Sequence, residues 1–187
     1  MIAFLRGKFS GISIGELARM QIESIVLWLV GGLPSVIGYA ARNLALRMLG
    51  ARVAGVPWIQ PGVTFVHTDR LSLGSNFGCN TGTYINAVGG VTIGSFVLIG
   101  SNVTISSGRH PIDGRTPPIF ARPVIPEPIV IEDGVWIGAG AVIMPGVTLA
   151  RGSVVGANAV VTRSTLPFSV NAGVPSRCLR IRAEGSP

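Results

Sequence analysis

Lysine is almost missing from this chain: Lys8 is the only one, so the formal net charge of +7 rests on arginine. A nucleic-acid surface would need clustered lysines and aromatic stacking platforms, but aromatics make up only 6% of the chain, and that class is excluded. Arginine-borne basicity suits the phosphates of a cofactor or of anionic lipid. Cysteine is scarce too, and Cys79 and Cys178 form neither a disulfide framework nor a zinc pattern, which favours a reducing cytoplasm. With two histidines in all, His67 and His110, a three-histidine zinc site of the β-helical carbonic anhydrase kind is short of ligands, and no metal is expected. Charged residues are 12% of the chain against 48% hydrophobic. Disorder is therefore excluded, and a large core, a buried oligomer contact or a membrane contact is required. A length of 187 residues suits one well-cored domain with a short appendage.

What the chain has in abundance is a repeat. Written in sixes, residues 91 to 108 read VTIGSF VLIGSN VTISSG, and residues 129 to 164 read IVIEDG VWIGAG AVIMPG VTLARG SVVGAN AVVTRS. The third place is held by Ile93, Ile99, Ile105, Ile131, Ile137, Ile143, Leu149, Val155 and Val161, all branched aliphatics. A period of six is neither helical nor a plain alternation; it describes a short strand, a turn and another short strand. A parallel β-helix with three six-residue sides per coil satisfies it, with the third-place aliphatics on the axis. Gly134, Gly140, Gly146 and Gly152 recur at corners, where little bulk fits. Upstream, Val53, Ile59, Phe65 and Leu71 keep the step, and Leu73, Cys79 and Ile85 keep it after a two-residue slip. Five coils at about 4.8 Å per strand would make a prism roughly 25 Å long.

Residues 109 to 128, RHPIDGRTPPIFARPVIPEP, break the pattern with six prolines. Proline lacks the ladder's donor, so this stretch is an excursion from the scaffold, and long loops on rigid scaffolds are usually functional. His110 opens it, with Asp113, Arg115 and Glu127 in the same segment. A neutral imidazole there suits removal of a proton from an alcohol near neutral pH, whereas His67 reads as a hydrogen-bonded structural residue.

The first fifty residues differ again. Residues 24 to 41 carry no charge, at the lower limit for a membrane span, but Gly31, Gly32 and Pro34 break the run. Two short helices, near residues 13 to 31 and 34 to 49, are expected. The hairpin, residues 1 to 50, is either a cap over the open end of the β-helix domain, residues 51 to 182, or an interfacial membrane anchor helped by Phe4, Arg6, Lys8 and Trp28. Residues 183 to 187 form a tail.

The segments NFGCN (76 to 80), VTIGSFVLIGSNVTISSGRHP (91 to 111), VWIGAGAVIMPGV (135 to 147), GANAVVTRS (156 to 164) and AGVPSR (172 to 177) resemble the hexapeptide-repeat acyltransferases, specifically the galactoside, maltose and nodulation-factor O-acetyltransferases. The resemblance covers residues 73 to 182. It implies an all-β fold, a left-handed parallel β-helix, assembled as a homotrimer with active sites between subunits, and direct acetyl transfer from acetyl-CoA to a carbohydrate hydroxyl. His110 matches the family's general base, Asn80 its acceptor-contacting asparagine and Trp136 its tryptophan beside coenzyme and acceptor, with Arg115 of the excursion added to the substrate set. The coenzyme pattern falls on Ala157, Thr162, Arg163 and Arg177, and the backbone near Ala139 would face the thioester.

Two features depart from the family. The acid-bearing turn after the asparagine segment is replaced here by INAVGGV (85 to 91), so acceptor preference does not transfer. The hydrophobic hairpin is more like that of colanic acid acetyltransferases, which implies surface polysaccharide or glycolipid biosynthesis at the cytoplasmic, inner face of the membrane. A non-sugar or amino-sugar acceptor, or a non-catalytic membrane-associated scaffold, is the rival reading.

Overall fold

The computed structural model describes residues 13 to 184; the proposed anchor residues Phe4, Arg6 and Lys8 lie outside them. The nine third-place aliphatics are each at most 1% exposed and line the axis of a three-faced parallel β-helix. Burying each contributes roughly 1.5 to 3 kcal/mol, more than the 0.5 to 1.5 kcal/mol typical of one ladder hydrogen bond, so the aliphatic stack sets the register. Coil one runs Arg52–Val53, Trp58–Ile59 and Thr64–Val66; coil two Leu71–Leu73, Gly78–Cys79 and Tyr84–Asn86; coil three Val91–Ile93, Leu98–Ile99 and Thr104–Ser106. Coil four comprises Ile129–Ile131, Trp136–Ile137 and Val142–Ile143, and coil five Thr148–Leu149, Val154–Val155 and Val160–Val161. Successive coils stack strand on strand in three parallel sheets, which form the first, second and third faces. Ser169–Gly173 extends the second face as the start of a sixth coil, and Ser176–Ile181 turns back antiparallel against it.

The expected two-residue slip is present, and it occurs twice. Val53 pairs with Leu73 and Leu73 with Ile93, so both intervals are twenty residues, against eighteen between Ile131 and Leu149. The extra residues lie at one corner, that between the third face and the next first face. In coil one they form the turn Thr68–Arg70; in coil two they form a turn closed by the Gly90 amide donating to Ala87 O at 2.8 Å.

Two helices precede the coils, α1 (Ile14–Gly31) and α2 (Ser35–Met48). A reciprocal capping box starts α1: the Glu16 amide donates to Ser13 Oγ at 3.2 Å and the Ser13 amide to Glu16 Oε2 at 3.0 Å. The hairpin packs on coil one and is tied there by buried polar groups. Arg42, 2% exposed, donates to Ile59 O at 2.9 Å and to Leu33 O at 2.7 Å. Gly38 permits the tight turn into α2, since a Cβ there would lie 2.0 Å from Leu33 O. Glu23, 4% exposed, accepts from the Thr68 amide at 3.2 Å. His67 is correspondingly structural, in the left-handed region at φ 61°, but its buried Nδ1 meets no hydrogen-bond partner among the described residues. Among the described residues no helix is long and apolar enough to cross a membrane.

Candidate active site

The excursion emerges at the same corner as the two smaller insertions, one coil further on. Its feet are zipped by a short antiparallel ladder that the proline content did not suggest, Gly108–Arg109 against Ile125–Pro126. Beneath it the Glu127 amide donates to Ser107 O at 2.8 Å, and Arg109 Nε meets Glu127 Oε1 at 2.8 Å. His110 is the first residue beyond this ladder. On its other side the chain is gripped by Arg122, 9% exposed. Arg122 donates to Pro111 O at 3.1 Å, Gly114 O at 2.7 Å, Pro117 O at 2.7 Å and also Asp113 O. The backbone of His110 is thus held from both directions while its ring is exposed. No carboxylate orients that ring among the described residues, because Glu127 is committed to Arg109.

Composition alone places Arg122 among the phosphate-seeking arginines. Nothing in the spacing distinguishes it; only the folded loop brings four carbonyls around one guanidinium, the geometry a planar five-donor group can satisfy.

The remaining candidates lie elsewhere on the prism. Trp136 projects from the second face, 52% exposed, in register with Leu98 and Val154. Asn80 follows the second face of coil two and donates from Nδ2 to Ile99 O at 3.2 Å. Ala139 and Ala157 occupy the equivalent corner of coils four and five, both exposed; the Asn158 amide donates to Ala139 O at 2.8 Å. Thr162 and Arg163 follow the third face of coil five and are exposed. Arg177 sits on the last strand opposite Ala172 and is exposed as well. Arg115 is exposed in the excursion. The third face therefore separates His110 from Asn80, Trp136, Ala139 and Ala157, and one copy of the chain does not bring them together.

Gly138, on the coenzyme edge, is buried, and a Cβ there would lie 2.6 Å from the Ala157 backbone nitrogen; coil stacking demands the glycine. Arg182, equally basic in sequence, donates to Gly152 O of coil five at 3.0 Å, whereas Arg177 donates to its own neighbour Ser176 O at 2.9 Å. The buried Cys79 thiol is pushed up to about 12 by desolvation, so it is no nucleophile.

Residues 128 to 163 match the model of the bacterial transferase hexapeptide family (six repeats). The chain is 37% identical over 142 residues to the galactoside O-acetyltransferase of Escherichia coli, covering 74% of this chain and 68% of that one. It is 30% identical over 151 residues to the putative colanic acid biosynthesis acetyltransferase WcaF of the same organism, covering 81% and 80%. The chain belongs to the hexapeptide-repeat acyltransferases. Of one curated relative, a putative acetyltransferase of Schizosaccharomyces pombe, it spans 60% of the length. Among solved structures, the Vibrio cholerae hexapeptide-repeat acetyltransferase VCA0836 complexed with acetyl-CoA superposes with a TM-score of 0.83 at 29% identity, covering 91% of each chain. The match to WcaF takes in most of the chain, in keeping with the likeness to the colanic acid enzymes, and this hexapeptide-repeat acyltransferase carries the longest of its described insertions where His110 stands.

Proposed function

We propose that this acyltransferase moves an acetyl group from acetyl-CoA to a carbohydrate hydroxyl, with His110 as general base, in clefts between the copies of a homotrimer. The observation that carries this is the double restraint on His110: an imidazole exposed for reaction on a backbone zipped by Arg109–Glu127 before it and clamped by Arg122 after it. A base must be placed before its pKa matters.

Acetyl-CoA, when bound, supplies the acetyl carbonyl. To the Ala139 backbone we assign a hydrogen bond to the carbonyl oxygen as it gains charge, and to Ala157, Thr162, Arg163 and Arg177 the contacts along the coenzyme. His110 accepts the hydroxyl proton as the acceptor oxygen attacks the carbonyl carbon, and returns it to the departing sulfur, so the proton balance closes. Asn80, Trp136 and Arg115 hold the acceptor. A second copy is required to complete the set, since the third face of one copy stands between its base and its other candidates. The hairpin supports a position at the inner face of the membrane: between residues 20 and 46 the only charged side chains, Glu23 and Arg42, are buried, while Ile25, Trp28, Leu29, Val36 and Ile37 are each 57% exposed or more.

One assay tests both parts. Acetyl-CoA consumption is followed with sugar acceptors free in solution and as glycolipids in anionic vesicles, with wild type and His110→Ala. The expectation is that the variant binds acetyl-CoA and keeps its oligomeric mass but turns over about 10² to 10⁴ times more slowly. Unchanged turnover removes the base assignment, and failure to co-sediment with the vesicles removes the membrane position.

A further inference from the structure

We propose that a groove on the second face is a saccharide subsite holding the sugar unit next to the one acetylated, so that the acceptor is a glycan chain and not a free monosaccharide. The proposal rests on acetyl transfer to a carbohydrate and goes on to name its substrate class.

The groove has a volume of about 530 Å³ and runs over coils one to three. Its shape comes from one outward column of the second face, in which Trp58, Gly78, Leu98 and Trp136 stand in register. Gly78 leaves a notch between Trp58 and Leu98, and a Cβ there would already meet Leu98 Cδ1 at 3.2 Å. Trp58 forms one wall, 67% exposed, its ring held by stacking on Tyr39 of α2 at 6.1 Å and 26°. Phe96 forms the rim, 68% exposed.

Phe96 is held at an energetic cost. Its φ is +57°, and the equivalent corners of coils four and five use Gly134 at +68° and Gly152 at +64°; a bulky residue in that conformation is strained. Phe168 shares the conformation, but there the Arg151 guanidinium covers the ring at 5.3 Å. Phe96 presents its ring outward over the notch.

The polar groups are carboxamides. Gln60 Nε2 donates to the Tyr39 hydroxyl at 2.9 Å, which fixes the amide and leaves its carbonyl oxygen free to accept. Asn80 is fixed likewise through Nδ2, and Asn76 adds a third amide to the lining. No lining residue is charged, so a coenzyme phosphate finds no partner here. Aromatic faces for the apolar side of a sugar ring, with amides that both donate and accept for its hydroxyls, fit a neutral saccharide. Trp58 and Leu98 are two rungs apart, about 10 Å, more than one pyranose ring spans. Asn80, assigned to the acceptor, closes one end, so the groove continues the acceptor site.

The test is equilibrium titration of full-length His110→Ala protein with matched mono- and tetrasaccharides of the gluco, galacto and manno series, read by tryptophan fluorescence. At least one tetrasaccharide is expected to bind tenfold or more tightly than its monosaccharide, and Trp58→Ala or Phe96→Ala in the same background to abolish that difference. The proposal is overturned if no series shows the preference, or if Trp58→Ala dissociates the oligomer while saccharide binding is unchanged, which would make the wall an interface between copies. Because binding is read without turnover, saccharide preference in the variant together with a wild-type protein that transfers no acetyl group would sink the catalytic reading and leave the subsite standing.

Discussion

Between coils four and five every inward aliphatic recurs after eighteen residues, Ile137 over Val155 and Ile143 over Val161. Between coils one, two and three the interval is twenty, and across the excursion Ile93 finds Ile131 thirty-eight residues on. From coil two onward the inward stack is as dry as in coils four and five, with Ile99 and Ile137 both at 0% exposure, while Val53 at the start of coil one is partly buried. The contrast shows that the axis tolerates no slippage and the corners absorb all of it. One corner takes every insertion, from the turn Thr68–Arg70 to the loop that bears His110. A chain built this way can vary its chemistry at one edge without disturbing its core.

The sharpest way to break the contrast is to unfasten the irregular corner alone. Arg122→Ala removes hydrogen bonds to four loop carbonyls, all on a segment that water can solvate. Turnover is expected to fall about 10- to 100-fold, since an ångström of misplacement can cost 10², with little change in melting temperature. Arg122→Lys, one donor group for four acceptors, should recover only part of it. Steady-state kinetics with parallel thermal melts checks both; loss of global stability matching the loss of activity would refute a role confined to the loop.

A smaller effect sharpens the comparison between corners of the same kind. Gly134 has φ +68°, with no atom closer than 3.9 Å to the point where a Cβ would stand, and Phe96 has φ +57°. Gly134→Ala should destabilise by about 1 to 2 kcal/mol through backbone strain alone. Phe96→Gly relieves similar strain but adds unfolded-chain entropy of about 0.5 to 1 kcal/mol, so it should be nearly neutral. Denaturant midpoints separate the two; equal losses would mean that φ is not what distinguishes these corners.

The inward stack is legible from period alone, because a side chain on the axis must be apolar in every coil, and all nine third-place residues of the two regular blocks are branched aliphatics. The excursion is legible as a breach for the converse reason. Interactions between residues with no fixed spacing are not legible. Arg122 and its four carbonyls form such a set, and so do Trp58, Tyr39 and Gln60, which meet only because α2 docks on coil one. The second two-residue slip, at residues 87 to 90, escapes a reading by period because Gly89 and Gly90 look like any turn. Separation of His110 from Asn80 by a whole face is equally invisible, since period gives position along a coil but not which copy supplies the facing wall.

The smallest expected effect lies where the hairpin meets the irregular corner. Burial raises the Glu23 carboxyl above its ordinary value of 4.5, and burial with Arg70 and Arg19 nearby lowers the His67 imidazole below 6.5. The signs oppose each other. Stability from Glu23 is present below pH 4.5 and lost as pH rises through its raised value. Stability from His67 is present above pH 6.5 and lost as pH falls through its lowered value. Where the two windows overlap between pH 4.5 and 6.5 the contributions oppose each other, so the wild-type melting temperature should change less with pH there than that of either single variant. His67→Asn, which keeps a side chain tolerant of φ +61°, should leave a protein that gains stability on acidification; Glu23→Gln should leave one that loses it, each by less than about 1.4 kcal/mol per pH unit. Melting curves taken across this interval decide the matter, and slopes of the same sign in the two variants would show that the hairpin is not held to coil one by these groups in the protonation states inferred from their burial.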